Sequence, residues 1–234
     1  MRLHVYLARC GIASRRTCED LIRAGRVHIN DRIITEMGYK VNEHDVIAVD
    51  GKPVELESKK IYLALNKPVC FLCDNSAGDT RPKASDIFSK TIKMRLFHVG
   101  RLDYMSNGLI FYTNDGVFAK IVSHPSYRVE KEYLVTAYMQ ITKQMLEDYC
   151  RGVNLKGQLL RLKKYIIISR KRAYLVLSQG KNREIRRIFA YYGVKIRSIK
   201  RQRIGIVSLS AMKEGSYRHL KHSEVQWFLA KKEK

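Results

Sequence analysis

The stretch HVGRLDYMSNGLIFYTNDG, residues 98–116, places a single carboxylate, Asp103, directly after Arg101 and Leu102. Between residues 87 and 129 the other acid is Asp115, in a turn beyond the strand-like run that follows. Glycoside chemistry with two carboxylates wants the second acid about 5–10 Å away, so that class is disfavoured. A lone loop Asp most simply pairs with Arg101 or caps a turn. It can instead act as a nucleophile or a base, roles that need it ionised, and a neighbouring Arg favours the ionised form. QGKNREIRRIF, residues 179–189, offers such a cation. Cys70 and Cys73 form one C-x-x-C with no second pair, too few ligands for a structural zinc. They are read as packing residues, and no metal is assigned.

The elements that must position these groups follow from periodicity and punctuation. ASRRTCEDLIRAG reads as a helix capped by Ser14, burying Cys18, Leu21 and Ile22 and stopped by Gly25. Short strands are predicted at Val27–Asn30, Ile33–Thr35 and Val46–Val49, the last entering an Asp50-Gly51 hairpin turn. The charged run ELESKK, Glu55–Lys60, marks a boundary between residues 1–58 and 59–234. Beyond it, IYLALNKP reads as a strand stopped by Pro68, and GLIFYTNDG as a strand ended by Asn114, Asp115 and Gly116, leaving Asp103 in the preceding loop. Further strands are predicted at Glu132–Ala137, Tyr165–Ile168, Tyr174–Leu177, Lys195–Ile199 and Ile204–Leu209. Helices are predicted at Lys143–Arg151, ended by Gly152, and in NREIRRIFAYYG, where Asn182 can cap and Ile185, Ile188, Phe189 and Tyr192 share one face. Strand runs with scattered helices indicate an α+β fold rather than a doubly wound parallel sheet.

Composition narrows the partner. The 234 residues carry 45 Lys and Arg against 22 Asp and Glu, a net +23, with enough apolar content for a core. Such a balance points to a polyanion, and to nucleic acid before a membrane surface. Residues 1–58 are neutral overall but polarised: six basic and two acidic groups fall in residues 1–26. Residues 170–203 hold twelve basic groups and one acid, Glu184, making them a candidate binding face. No apolar run reaches signal-peptide or membrane-span length, and five cysteines without framework spacing suit a reducing compartment, so a cytoplasmic chain is expected. Arg15 and Arg16 each stand four residues before an acid, Glu19 and Asp20, which permits two surface ion pairs. Cations at a helix N-terminus oppose its dipole, however, and a phosphate partner would account for them as well.

RLHVYLARCGIASRRTCEDLIRAGRVHIN followed by VNEHDVIAVDGKPV resembles the small S-four-type RNA-binding module named after a ribosomal small-subunit protein. That resemblance implies that Arg15, Arg16 and Arg26 face structured RNA. Asp31 stands where that family often has Gly, and Asp tolerates the left-handed turn. HVGRLDYMSNGLIFYTNDG resembles the central motif of the ribosomal RNA pseudouridine synthases of the branch that carries this module. YLALNKP, EKEYLV, QGKNREIRRIF and RIGIVSLSAMKEGSYRHL agree with that family in order along the chain. The fold implied is a small helix-rich RNA-binding module (1–58) followed by a mixed, mainly antiparallel β-sheet catalytic domain with flanking helices (59–234).

Carried over residue by residue, the resemblance implies Asp103 as the catalytic Asp, Tyr133 as the Tyr that stacks on the base, and Arg186 as the partner of the Asp. Ile185 would pack beside the flipped uracil, and Arg101 would fill the gap in the RNA stack. Lys67, Arg183 and Arg187 would belong to the substrate-binding set. Three positions depart from the pattern: Cys70 replaces a common Gly, Met105 a frequent acid, and Glu184 a usual Gln. The activity implied is isomerisation of a uridine in ribosomal RNA, with a lean to the large subunit, by flipping the nucleotide out, cleaving N1–C1′, rotating the base and rejoining it through C5. The residue types allow Asp103 either to attack C1′ or to abstract a sugar proton first, and Tyr133 to receive or relay the C5 proton. No cofactor is expected. The partner would be ribosomal RNA or a pre-ribosomal particle and the chain a monomer; the competing reading is a non-catalytic RNA-binding assembly factor on the same scaffold.

Overall fold

The structure, a computed structural model, describes residues 1–73 and 79–233. The chain divides into two compact units, Met1–Lys60 with Lys93–Arg95, and Ile61–Ile92 with Leu96–Lys234.

The first unit contains α1 (Leu3–Arg9), α2 (Arg15–Arg23) and strands β1 (Val27–Ile29), β2 (Arg32–Ile33), β3 (Ile47–Val49) and β4 (Lys52–Pro53), which form an antiparallel sheet in the order β2-β1-β3-β4. Ser14 caps α2, its Oγ accepting the Thr17 amide at 3.1 Å. Asp50 and Gly51, at φ +51° and +75°, make the primed turn that joins β3 to β4. Leu3, Leu7, Cys18 and Ile22 of the two helices bury against Val27, Ile29, Ile47 and Val49. The strand expected at Ile33–Thr35 is confined to Arg32–Ile33. The ion pairs that spacing permits for Arg15 and Arg16 do not form among the described residues: Glu19 lies 3.9 Å from His4, and Asp20 pairs with Arg23 at 2.8 Å.

The second unit runs β5 (Tyr62–Lys67), α3 (Asp86–Ser89), β6 (Phe97–Val99), β7 (Asn107–Thr113), α4 (Gly116–Ser123), β8 (Lys131–Ala137), α5 (Lys143–Arg151), β9 (Val153–Leu155), β10 (Gln158–Leu160), β11 (Lys164–Ser169), β12 (Arg172–Leu177), α6 (Glu184–Tyr191), β13 (Ile196–Ile204), β14 (Val207–Ser208), β15 (Tyr217–His219) and α7 (His222–Leu229). Its main sheet has the order β11-β12-β8-β13-β7-β5-β15, with β14 on β13 and β6 on β7. The β7–β13 pair is parallel and the other pairs of this sheet are antiparallel. The fold is therefore α+β with a mainly antiparallel sheet. Phe228 of α7 meets both Phe111 of β7 and Phe118 of α4 edge to face in one of its cores. Among the described residues, no helix is long and apolar enough to cross a membrane.

Three expectations need correction. The charged run Lys200–Arg203, taken as a break between two strands, lies inside one nine-residue strand, β13. Two of its charges are absorbed there: Arg201 is buried, and Arg203 reaches Glu130 and Glu132 at 3.2 and 3.4 Å. Asn182 does not cap α6. The cap position falls to Arg183 in the left-handed region (φ +48°), and the Glu184 carboxylate accepts the Lys181 amide at 3.1 Å instead. Asp115, taken as a turn residue, caps the unanticipated helix α4, accepting the amides of Val117 and Phe118.

Gly108 is where the parallel pair closes. It sits at φ +106°, and an added Cβ would overlap the backbone oxygen and nitrogen of Arg201. Gly108→Ala is expected to lower stability by about 3 kcal/mol or more, measured as a fall in the urea midpoint. An alanine variant with an unshifted midpoint would mean that β7 and β13 can part freely.

Candidate active site

Asp103 lies on the loop between β6 and β7, and that loop is held from several sides. Ser106 N–H donates to the Asp103 carbonyl at 2.9 Å, closing a turn. Cys73 Sγ lies 3.3 Å from the Leu102 carbonyl and accepts the Leu102 amide at 3.4 Å. Cys70 N–H donates to the Tyr104 carbonyl at 2.8 Å. From α6, Arg186 spreads its guanidinium over the turn: Nε donates to Asp103 Oδ2 at 3.2 Å, and one terminal nitrogen to the Met105 carbonyl at 3.0 Å and Ser106 Oγ at 3.1 Å. A Lys could supply the charge but not this fork. The Asp103 side chain is 31% exposed and that of Arg186 20%, so this pair is partly shielded. Arg183, 57% exposed at 3.7 Å, contributes a weaker, screened attraction.

Beside Asp103 opens a cleft enclosing about 100 Å³, lined by Arg101, Leu102, Asp103, Ser106, Tyr133, Leu177, Arg183, Ile185, Arg186 and Ile199 among others. Tyr133 comes from β8, whose buried residues alternate as Lys131, Tyr133, Val135 and Ala137. Its ring lies 6.0 Å from the guanidinium carbon of Arg201. Ile185 comes from the first turn of α6 and is also buried. The structure thus brings together Asp103, Tyr133, Arg186, Arg101, Ile185 and Arg183.

It does not bring in the remaining sites. Lys67 is fully buried: Nζ donates to the carbonyls of Pro68 and Phe71 at 2.7 and 2.8 Å, and burial lowers its pKa. Arg187 donates to Gln158 Oε1 and to the Leu155 carbonyl, bracing the β9–β10 hairpin. In the first unit, Arg15 and Arg16 are exposed, and Arg26 is paired with Asp50. Of the two cysteines read as packing residues, Cys73 is buried, whereas Cys70 is exposed at φ +61°, the conformation that a Gly would take without cost.

Glu184 is a second acid lining the cleft. Counting acids near Asp103 along the chain missed it, because α6 brings it in from far downstream. Its carboxyl is pushed up by burial, and its oxygens accept the Tyr149 hydroxyl and the Lys181 amide, both at 3.1 Å. With both oxygens engaged, it does not complete a hydrolytic carboxylate pair.

Sequence reading also missed Arg201 and Lys131. Arg201 donates from Nε to the Leu109 carbonyl at 2.6 Å and from a terminal nitrogen to the Arg101 carbonyl at 3.4 Å, tying the Asp103 loop to β13. Lys131 donates to the Val129 carbonyl at 3.1 Å. The signal for Lys131 was strand alternation, which puts it on the same face as Tyr133.

A fold in which an Asp and an Arg meet above a buried Tyr at the seam of such a sheet defines a class. The family model described as RNA pseudouridylate synthase matches residues 61–191, and that of the S4 domain matches residues 1–47. The chain belongs to the RNA pseudouridine synthase family. It is 38% identical, over 100% of its length and 95% of the relative's, to an uncharacterized RNA pseudouridine synthase of Borreliella burgdorferi. It is 34% identical to ribosomal large subunit pseudouridine synthase B of Bacillus subtilis, over 96% of this chain and 94% of that one. A crystal structure of a pseudouridylate synthase superposes with a TM-score of 0.72 at 27% identity, covering 97% of this chain and 99% of the other.

Burial, aided by the Arg201 charge, lowers the Lys131 pKa from 10.5 to about 8. Between those values the unfolded chain binds more protons than the folded one, so this group makes stability rise with pH; its cost is fully present below about pH 8. Lys131→Met should therefore gain most relative to the wild type at neutral pH. The stability difference should shrink by about 2 kcal/mol between pH ~7 and ~10. Urea titrations of both proteins across that range check this, and parallel curves would contradict it.

Proposed function

We propose that the chain converts a uridine of large-subunit ribosomal RNA into pseudouridine, with residues 1–58 as an RNA-binding module and residues 59–234 as the catalytic domain. The observation that carries the reading is the Asp103 carboxylate at 3.2 Å from Arg186, at the edge of a cleft over Tyr133. Family membership supports the reaction, and the name of the Bacillus subtilis relative, a ribosomal large subunit pseudouridine synthase, supports the large subunit as the source of substrate. Ribosomal RNA as substrate suits a cytoplasmic chain.

In this reading the target nucleotide leaves its stack and the uracil enters between Tyr133 and Ile185. Arg101 occupies the space left in the RNA, and Arg183 receives phosphate. Arg186 holds Asp103 aimed at the sugar, and its carboxylate starts the breaking of N1–C1′. The uracil turns within the cleft and rejoins C1′ through C5, and the C5 proton passes to N1 by way of Tyr133 or water. Substrate and product are isomers, so the overall conversion requires no outside oxidant, reductant or group donor.

Asp103→Asn is nearly isosteric and should lower pseudouridine formation on ribosomal RNA by a factor of about a thousand or more, while RNA affinity stays within about threefold. The check is pseudouridine mapping beside filter binding. A wild-type chain that binds tightly yet modifies no ribosomal RNA fragment would instead make it a non-catalytic binding factor. Replacing Arg15 and Arg16 together by Ala should weaken binding and flatten its dependence on salt, with turnover unchanged at saturating RNA. Loss of turnover at saturation would contradict the binding role.

A further inference from the structure

Of the twelve cations in residues 170–203, six are neither in the cleft nor spent on an internal partner; Lys200 is half-buried within β13, and the other five are Arg170, Lys171, Arg172, Lys195 and Arg197. The sheet gathers them at one end. The Ala137 amide donates to the Lys171 carbonyl at 2.9 Å, that of Ile141 to the Arg170 carbonyl at 2.7 Å, and that of Tyr138 to the Lys195 carbonyl at 2.9 Å. The end of β8, the β11–β12 turn and the start of β13 are thereby fastened together. All five cations are exposed, and none has an ion pair among the described residues. Asp148, the acid that α5 brings to the C-terminal end of α6, is taken up by Arg151, Gln144 and Tyr192.

An aromatic ring stands among them. Tyr138 is 55% exposed, with Lys195 Nζ 5.5 Å from its ring centroid, and the adjacent Met139 is 47% exposed. A surface cation–π pair accounts for Lys195 but not for four further uncompensated cations, which repel one another unless a polyanion lies across them. The patch also joins the cleft. A groove lined by Arg183, Arg186, Ala190, Gly193 and Lys195 runs from the cations beside Asp103 along α6 to Lys195, whose Nζ lies over this ring. Tyr138, one residue past the end of β8, stands five residues from Tyr133, roughly 16 Å away, within about five nucleotides of a stacked strand.

We infer that the groove and the Tyr138–Lys195 platform form a second RNA subsite, holding the single strand that flanks the target uridine, with a base stacked on Tyr138 and phosphates on Lys195 and Arg197. A positively charged groove leading to an aromatic ring is the recognition pattern of single-stranded nucleic acid. The inference deepens the proposed function and rests on RNA being the substrate.

The test uses the shortest large-subunit ribosomal RNA fragment in which the intact wild-type chain makes pseudouridine, and versions trimmed to two nucleotides on either side of the target. Trimming one of the flanks should raise the wild-type KM about tenfold or more with kcat held. The double variant Tyr138→Ala, Lys195→Gln should start at that raised KM on the full fragment and lose nothing further on trimming. Both side chains are exposed, so folding is not at issue, and Tyr138→Phe should restore binding by keeping the stacking face. The inference is overturned if the wild-type KM stays unchanged whichever flank is trimmed, or if wild type and variant lose equally. A wild type inactive on every fragment would instead overturn the reading beneath it, and that failure appears before any variant is made.

Discussion

Two strands distant in the chain, β7 and β13, meet in parallel at Gly108 and Arg201, so closely that no side chain fits at Gly108. Much of the site's geometry descends from this contact. The same Arg201 is in register with Tyr133 on β8 and reaches beneath β7 to the carbonyls of Leu109 and Arg101. One residue therefore sets the height of the Asp103 loop above the sheet and the place of the Tyr133 ring within it. A parallel pair inside an otherwise antiparallel sheet is slow to close, since its two strands must first be brought together across a long stretch of chain. Once closed, it leaves the loop before β7 at the seam between the two halves of the sheet.

The seam carries unusual electrostatics. Arg201, Lys131 and Lys67 are all buried cations, each satisfied chiefly by carbonyl oxygens rather than by carboxylates. Carbonyl partners orient a cation without cancelling its charge. One terminal nitrogen of Arg201 has no hydrogen-bond partner among the described residues, an arrangement that costs about 1–3 kcal/mol. The result is a positive field beneath the half-buried Asp103 carboxylate, at a site that must receive a polyanionic strand.

Legibility in the sequence followed the range of the forces involved. Helix α5 was readable because its stop, Gly152, is a local signal, while its Thr142 cap became visible only in the structure. The site's loop was readable through its motif, and so was the face of α6 that buries Ile185, Ile188 and Phe189. What escaped depended on contacts between distant segments. Arg201 looks like one more charge in KRQR until β7 closes over it. Lys67 looks like a phosphate ligand until its ammonium is seen turned inward onto two carbonyls. Asn182 has the right chemistry for a cap, but the left-handed turn at Arg183 takes the cap position, and among the described residues no side chain caps α6.

The same distinction applies to net charge. A count over residues 170–203 treats twelve cations as one binding face, yet the fold divides them by function. Lys181, Arg187, Arg201 and Arg203 are spent on internal oxygens, where their charges stiffen hairpins and strands. Arg183 and Arg186 face Asp103, so their charge is partly answered before any ligand arrives. What is left for a polyanion to neutralise is smaller than the sum and concentrated at one end of the sheet. Counterion release is governed by the charges that actually meet phosphate, so the affinity of this chain for nucleic acid depends on how the fold distributes its cations more than on how many it has.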